Sequence, residues 1–548
     1  MLPSTGPRVP PQAVSATWGH GAGLLIAALL GGLALLTLLL GAVVPIKAAA
    51  ALVMAIVSGI VFALSNNRRQ VCLLLVFVCA PLGLRMTFNA FPHMGGAGAI
   101  FLDLVDPFLA MLLFYQWRDT RRGGARAWRF PPAALFWTGM IILGLGTVLV
   151  GPLRTTAFNE VVRMAKLLVL ALVLINEVVR RRQFEQITVA IALMIIVQSS
   201  IAVVQYTLGH QLGLVFLGEA PDEDVEALSA ATLLTGAFVY RPDGLLGHPN
   251  LLAGYLAMNL PIAVALLLAP VSRRLKWLLG VALLVGQPAL VLTLSRTGWI
   301  EYTVAFLLVL GLGALHPQSR RLYLHARGMV IGLAVLVGLA LTPVIVQRLS
   351  DTDPTAVEYR LIWLKTAASM IIDNPVFGVG LNAYVYKQVP YGKQKTPEEM
   401  TDFYGPLWPA VHNSWMLTWA EQGTLGFLLW VAVHVAVLRV GFQNLRIRDP
   451  MMHALGAGLL AGFIAIMIDG LASFFVRTEA PARLYWIAAA LILAVGYWRH
   501  EQGTAGTASP PADGLPGAAP DAPPPPPGAL AGHHREGRWL PPHESPLR

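Results

Sequence analysis

Charge and cysteine are both scarce in this chain of 548 residues. Only 12% of its residues are Asp, Glu, Lys or Arg, about half the share of a soluble domain. Most of the chain is therefore not built to dissolve in water. The two cysteines, Cys72 and Cys79, fall inside one apolar run, which excludes a disulfide framework and a Cys-type zinc site. What the chain has in quantity is apolar residues, 56% of the total with a mean hydropathy of +0.63. That is enough for roughly 14 membrane helices of ~20 residues each, so a single-span receptor and a peripheral protein are excluded. The net charge of +10 would point to nucleic acid in a soluble chain. In a membrane protein it records basic cytoplasmic loops.

Spanning-length apolar runs lie near 22–44, 47–65, 70–86, 99–117, 132–151, 161–179, 186–208, 246–269, 275–294, 297–315, 328–347, 413–438, 453–476 and 482–498. The first is too long for a signal-peptide core and follows a proline-rich, weakly basic segment, so it reads as a retained helix. If the N-terminus is cytoplasmic, every second loop should be basic. Those loops hold Arg68 and Arg69; Arg118, Arg121, Arg122, Arg126 and Arg129; Arg180, Arg181 and Arg182; Arg273, Arg274 and Lys276; Arg320, Arg321 and Arg327; and Arg439, Arg446 and Arg448. These 19 cations stand against about seven in the short loops of opposite parity. The pattern predicts an all-α polytopic membrane protein with about 12–14 transmembrane helices and both termini cytoplasmic, 1–21 as the N-terminal tail.

Two external segments are longer than connections. One, 209–245, carries the acidic patch Asp222, Glu223, Asp224 and Glu226 and leads into Arg241-Pro-Asp-Gly-Leu-Leu-Gly-His248-Pro-Asn250. The other, 348–412, is the largest, and loops of this length tend to be functional. Within it, 355–372 reads as an amphipathic helix ended near Asn374-Pro375, beside the aromatics Trp363, Tyr384, Tyr386, Tyr391, Tyr404 and Trp408. Residues 499–548, with Pro523 to Pro527 in a row, cannot bury a core and read as a disordered cytoplasmic tail.

Ionisable residues at the ends of apolar helices carry the most information, because each is costly without a partner or a wet cavity. Arg296 follows Ser295 in a near-loopless junction of two apolar runs, at the outer rim. A snorkelling side chain is the ordinary explanation, but the outer side otherwise avoids cations. Arg241 and Arg360 are external too, and Arg360 taken alone is a solvated helix position. Three external arginines together point to an anion site, because guanidinium groups pair with phosphate oxygens. His412, followed by Asn413, is placed at the end of the large loop. It is either an interface marker or the group that moves a proton near neutral pH. No second ligand stands at metal-binding spacing from it. Asp351-Thr-Asp353 has the form of a DxD metal motif but precedes a proline and a helix, so it reads as a cap.

The motif His412-Asn413, nine residues, Gly423-Thr-Leu-Gly426 resembles that of the O-antigen ligase and O-antigen polymerase superfamily of bacterial membrane glycosyltransferases. So do Ser295-Arg296-Thr-Gly298, the stretch from Arg360-Leu-Ile-Trp363 to Asp373-Asn374-Pro375-Val-Phe-Gly378-Val-Gly380-Leu-Asn382, and Gly247-His248-Pro249-Asn250, all in the same order over about 235–430. The fourteen runs exceed the dozen helices usual in that family, and the long tail is also a departure. The resemblance implies a GT-C-like transmembrane glycosyltransferase domain over 22–498 in the inner membrane. It further implies an undecaprenyl-pyrophosphate-linked glycan as donor, a lipid-anchored or glycan acceptor, and inverting transfer without metal or other cofactor. Membrane lipid is the surrounding partner, and nucleic acid is not one. Arg296, Arg360 and His412 are then the catalytic candidates, with Arg241, His248, Asn250, Ser295 and Asn413 as substrate-binding candidates. A polymerase differs from a ligase only in its acceptor. A solute transporter is the alternative from another class, kept open by Asp103, Asp106 and Asp469 within apolar runs.

Overall fold

A computed structural model describes residues 65–505, apart from isolated positions, 124–126, 222–229, 233–237, most of 318–353 and 392–409. Nearly all of the first two apolar runs, most of the run at 328–347, the acidic patch, Asp351, Asp353, Tyr404, Trp408 and the tail beyond 505 lie outside the described residues. The chain divides after Glu501, and the fold below is that of the part ahead of this point.

The elements are α1 (Arg68–Cys79), the hairpin β1 (Arg85–Phe88) and β2 (Ile100–Asp103), α2 (Asp106–Arg121), α3 (Pro132–Val150), α4 (Arg154–Glu177) and α5 (Arg181–Leu208). A second small hairpin, β3 (Ala230–Thr232) and β4 (Phe238–Tyr240), precedes α6 (Pro249–Leu267), α7 (Arg273–Leu292) and α8 (Arg296–Gly313). After these come α9 (Pro354–Asp373), the single turn α10 (Tyr384–Lys387), α11 (Ser414–Asn444), α12 (Pro450–Asp469) and α13 (Glu479–Ala505). Seven of the described helices, α3, α5, α6, α7, α11, α12 and α13, are long and apolar enough to cross a membrane. The chain is an all-α polytopic membrane protein.

Two of the apolar runs are not single helices. The run at 70–86 ends its helix at Cys79, since Pro81 lacks the amide hydrogen that would continue the ladder. The run at 99–117 starts as strand β2 and turns helical only at Asp106, with Pro107 in the first turn. Asp103 and Asp106 are satisfied there by the ammonium of Lys166, with Arg483 Nη1 2.6 Å from Asp103. Such pairing is what a buried charge requires, and it removes two of the three aspartates that favoured a transporter. The amphipathic helix expected over 355–372 is α9.

Helix α6 sits centrally, packed on α7, α8 and α12. Small residues allow the closest approach: a Cβ at Gly458 of α12 would lie 2.7 Å from Ile262 Cα of α6, the usual device of helix contacts in lipid. The basic connections gather at one end. Arg69 bridges Asp119 and Glu177, Arg181 Nε donates to Asp449 at 2.8 Å, and His316 Nε2 lies 3.0 Å from the Arg448 carbonyl. Of the candidate residues, His248, Ser295 and Asn413 cap the opposite ends of helices α6, α8 and α11.

Candidate active site

The α7–α8 corner is built tightly. Leu294 adopts φ 55°, a left-handed conformation that costs a side-chain-bearing residue energy. Ser295 then caps α8, its Oγ accepting from Gly298 N at 3.3 Å. A Cβ at Gly298 would come within 2.6 Å of Ala253 Cβ on α6, so the glycine sets how closely the two helices meet. Arg296 is the first residue of α8 and is partly exposed at this corner.

Arg241 reaches the same corner from the external segment. Its Nε donates to the Thr293 carbonyl at 2.9 Å, and its Nη2 to Asn250 Oδ1 at 2.7 Å. Asn250 thus holds the arginine. His248 caps α6, its Nδ1 accepting from Asn250 N at 3.0 Å, which leaves the proton on Nε2. Burial first, then Arg241 and His412, push His248 down to about 3, so the ring is neutral. Behind Arg241, Asp243 accepts from Ala220 N at 2.7 Å and Gln205 Nε2 at 2.9 Å. Its carboxyl is raised to about 6, chiefly by burial.

His412 lies just ahead of α11 in a column of rings. Trp363 of α9 stacks on it at 4.9 Å between centroids, and Phe474 packs against it, tilted, at 5.0 Å. Burial and then the guanidinium of Arg360, one turn before Trp363, push the imidazole down to about 4. It is neutral at ordinary pH and able to accept a proton. Asn413 does not orient this ring: its Oδ1 accepts from Trp415 N and Met416 N at 3.0 and 2.9 Å, and its Nδ2 donates to the Leu471 carbonyl at 3.1 Å. It is the cap of α11, and the aromatic pair holds the histidine.

The glycines of the motif are explained by backbone. Gly423 has φ 64° and breaks α11, and a Cβ there would strike the Val376 carbonyl. Across the break, Val379 N donates to Ala420 O at 2.9 Å, Gly380 N to Glu421 O at 3.0 Å and Thr424 N to Pro375 O at 2.8 Å. The segment after α9 is thereby threaded through the kink, fixing Trp363 against His412. The side chain of Glu421 accepts from Tyr384 N at 3.2 Å and from Arg477 Nη2 at 2.6 Å.

The structure brings Arg241, His248, Asn250 and the Ser295-Arg296 corner together by hydrogen bonds and chain continuity. Arg360 lies near enough to His412, and His412 to His248, for a charge on one to be felt by the other. A family model described as O-antigen ligase, Wzy_C, matches residues 279–431. Over this stretch, which is less than a third of its length, the chain is similar to that family. The matched region contains Ser295, Arg296, Arg360, His412 and Asn413, while Arg241, His248 and Asn250 precede it. A search of curated proteins finds no match to the chain.

Phe474, Arg477 and Glu421 complete the surroundings and were not singled out by sequence. Their signal was present: Arg477 is a cation in a connection of the cation-poor parity, and Glu421 is a carboxylate inside an apolar helix.

Proposed function

We propose that this protein transfers a glycan from undecaprenyl pyrophosphate to an acceptor hydroxyl at the outer face of the inner membrane, as an O-antigen ligase does. The observation that carries this reading is the bonded cluster of Arg241, Asn250 and His248 at the α7–α8 corner beside Arg296, with His412 near enough to His248, and Arg360 to His412, to act on them electrostatically. Basic side chains and two neutral imidazoles, His248 and His412, collect there, on the side opposite the basic connections. With those connections cytoplasmic, the cluster faces outward and both termini face inward.

In the proposed reaction, His412 takes the proton of the acceptor hydroxyl as its oxygen attacks the anomeric carbon. The bond from that carbon to the pyrophosphate oxygen breaks on the opposite face, so the configuration inverts. The electron pair leaves with undecaprenyl pyrophosphate. Arg296 and Arg360 hold the pyrophosphate and stabilise the charge it gains, and preorganised guanidinium groups are suited to that task. Arg241, braced by Asn250, is the second-tier contact, and Asn413 acts by capping the helix that follows His412. No step needs a metal, so a chelator should leave the rate unchanged.

The test is purified protein with a synthetic undecaprenyl-pyrophosphate glycan and candidate acceptors. Release of undecaprenyl pyrophosphate with one glycan added per acceptor supports ligation. A ladder of lengthening lipid-linked products assigns a polymerase instead, and neither product overturns the transferase reading.

A further inference from the structure

Beneath the site lies a feature the mechanism above does not use. Glu301 of α8 is 0% exposed and Asp469, at the end of α12, is 4% exposed. No donor among the described residues reaches either carboxyl oxygen of Glu301. What faces it is the carboxyl of Asp469, within hydrogen-bonding reach. Two carboxylates are both acceptors, and like charges at that separation in an apolar surrounding cannot both persist. The contact becomes a bond only when one of the two carries a proton. Asp469 also accepts from the hydroxyl of Ser473, and no cation among the described residues acts on either carboxyl.

The pair joins the two halves of the site. Asp469 opens the turn 469–474, whose Gly470 and Ser473 carbonyls accept from Ser414 N at 2.8 and 2.9 Å. The Leu471 carbonyl accepts from Asn413, and Phe474 packs on the His412 ring. That turn is the seat of His412. Glu301 lies five residues into the helix that begins with Arg296, with α8 packed along α12.

We propose that Glu301 and Asp469 share one proton and act as positioning residues, their bond fixing the helix that carries Arg296 to the turn that seats His412. This role rests on the function proposed above, but the shared proton does not. Its test is the infrared difference spectrum, at neutral pH, between the wild-type protein and the double variant Glu301→Gln/Asp469→Asn. One protonated-carboxyl carbonyl band, shifted by deuterium oxide, should appear in the wild type and vanish in the variant. The absence of that band overturns the shared proton.

The positioning role is read in the transfer assay. Glu301→Leu, of similar size without polar atoms, should lower kcat about tenfold or more with KM little changed. Glu301→Gln, whose amide can donate to Asp469 without a proton, should restore most of it. Wild-type kcat in Glu301→Leu overturns the positioning role. A wild-type protein that transfers nothing would sink the functional reading and with it the positioning role, while the infrared result would still decide the proton.

Discussion

At the scale of single residues, the candidate base is set by its neighbours. A buried imidazole beside a guanidinium resists protonation, and His412 has both Trp363 and Phe474 against its ring and Arg360 at electrostatic range. A base must be neutral to accept a proton, so kcat/KM, which reports the free enzyme, should fall on the acid side only as pH drops through about 4. Arg360→Gln removes the cation that disfavours the imidazolium and should move this acid limb upward, toward the ordinary histidine value. A pH–rate profile of the two proteins checks the direction. An unmoved limb would mean that some other group is titrating.

At the scale of elements, the interrupted helix α11 organises the external face. The kink at Gly423 admits the segment 375–380 and so brings α9 to His412. Gly423→Ala should destabilise the protein by roughly 2 kcal/mol or more, through a strained left-handed φ and a clash with backbone. Gly311→Ala makes a fair control, because Gly311 lies in helix α8 with nothing within 4 Å of its Cβ position, and it should change stability by less than about 1 kcal/mol in either direction. Thermal unfolding in detergent compares the two. Much of this level was legible in the sequence: the apolar runs located the long helices, and the proline and asparagine after residue 373 ended α9 where expected. The motif glycines were visible as a pattern, but their reason was not, since a kink that accepts another segment is a tertiary event. The α1 boundary was missed because hydropathy continues through Pro81, whereas the backbone ladder cannot.

At the scale of the whole molecule, charge is sorted by depth and by end. The basic connections bond to one another at one end. Near the other, a buried chain of alternating sign runs from Arg163 through Glu160 and Arg477 to Glu421. Arg477 is far in sequence from both Glu160 and Glu421, which is why spacing along the chain could flag Arg241, Arg296, Arg360 and His412 yet not the supports around them. Arg477→Met would leave Glu160 and Glu421 short of a countercharge, and such losses cost about 3–5 kcal/mol. A denaturation midpoint well below that of the wild type is expected, and an unchanged midpoint would contradict the pairing. The central claim is that this sorted charge serves glycan transfer through one imidazole and the arginines beside it. The most direct measurement is the rate of undecaprenyl pyrophosphate release by wild type and His412→Ala, each checked for membrane insertion and for an unchanged melting temperature. The account predicts acceptor-dependent release by the wild type and none above background by the variant, and comparable rates in the two proteins would contradict it.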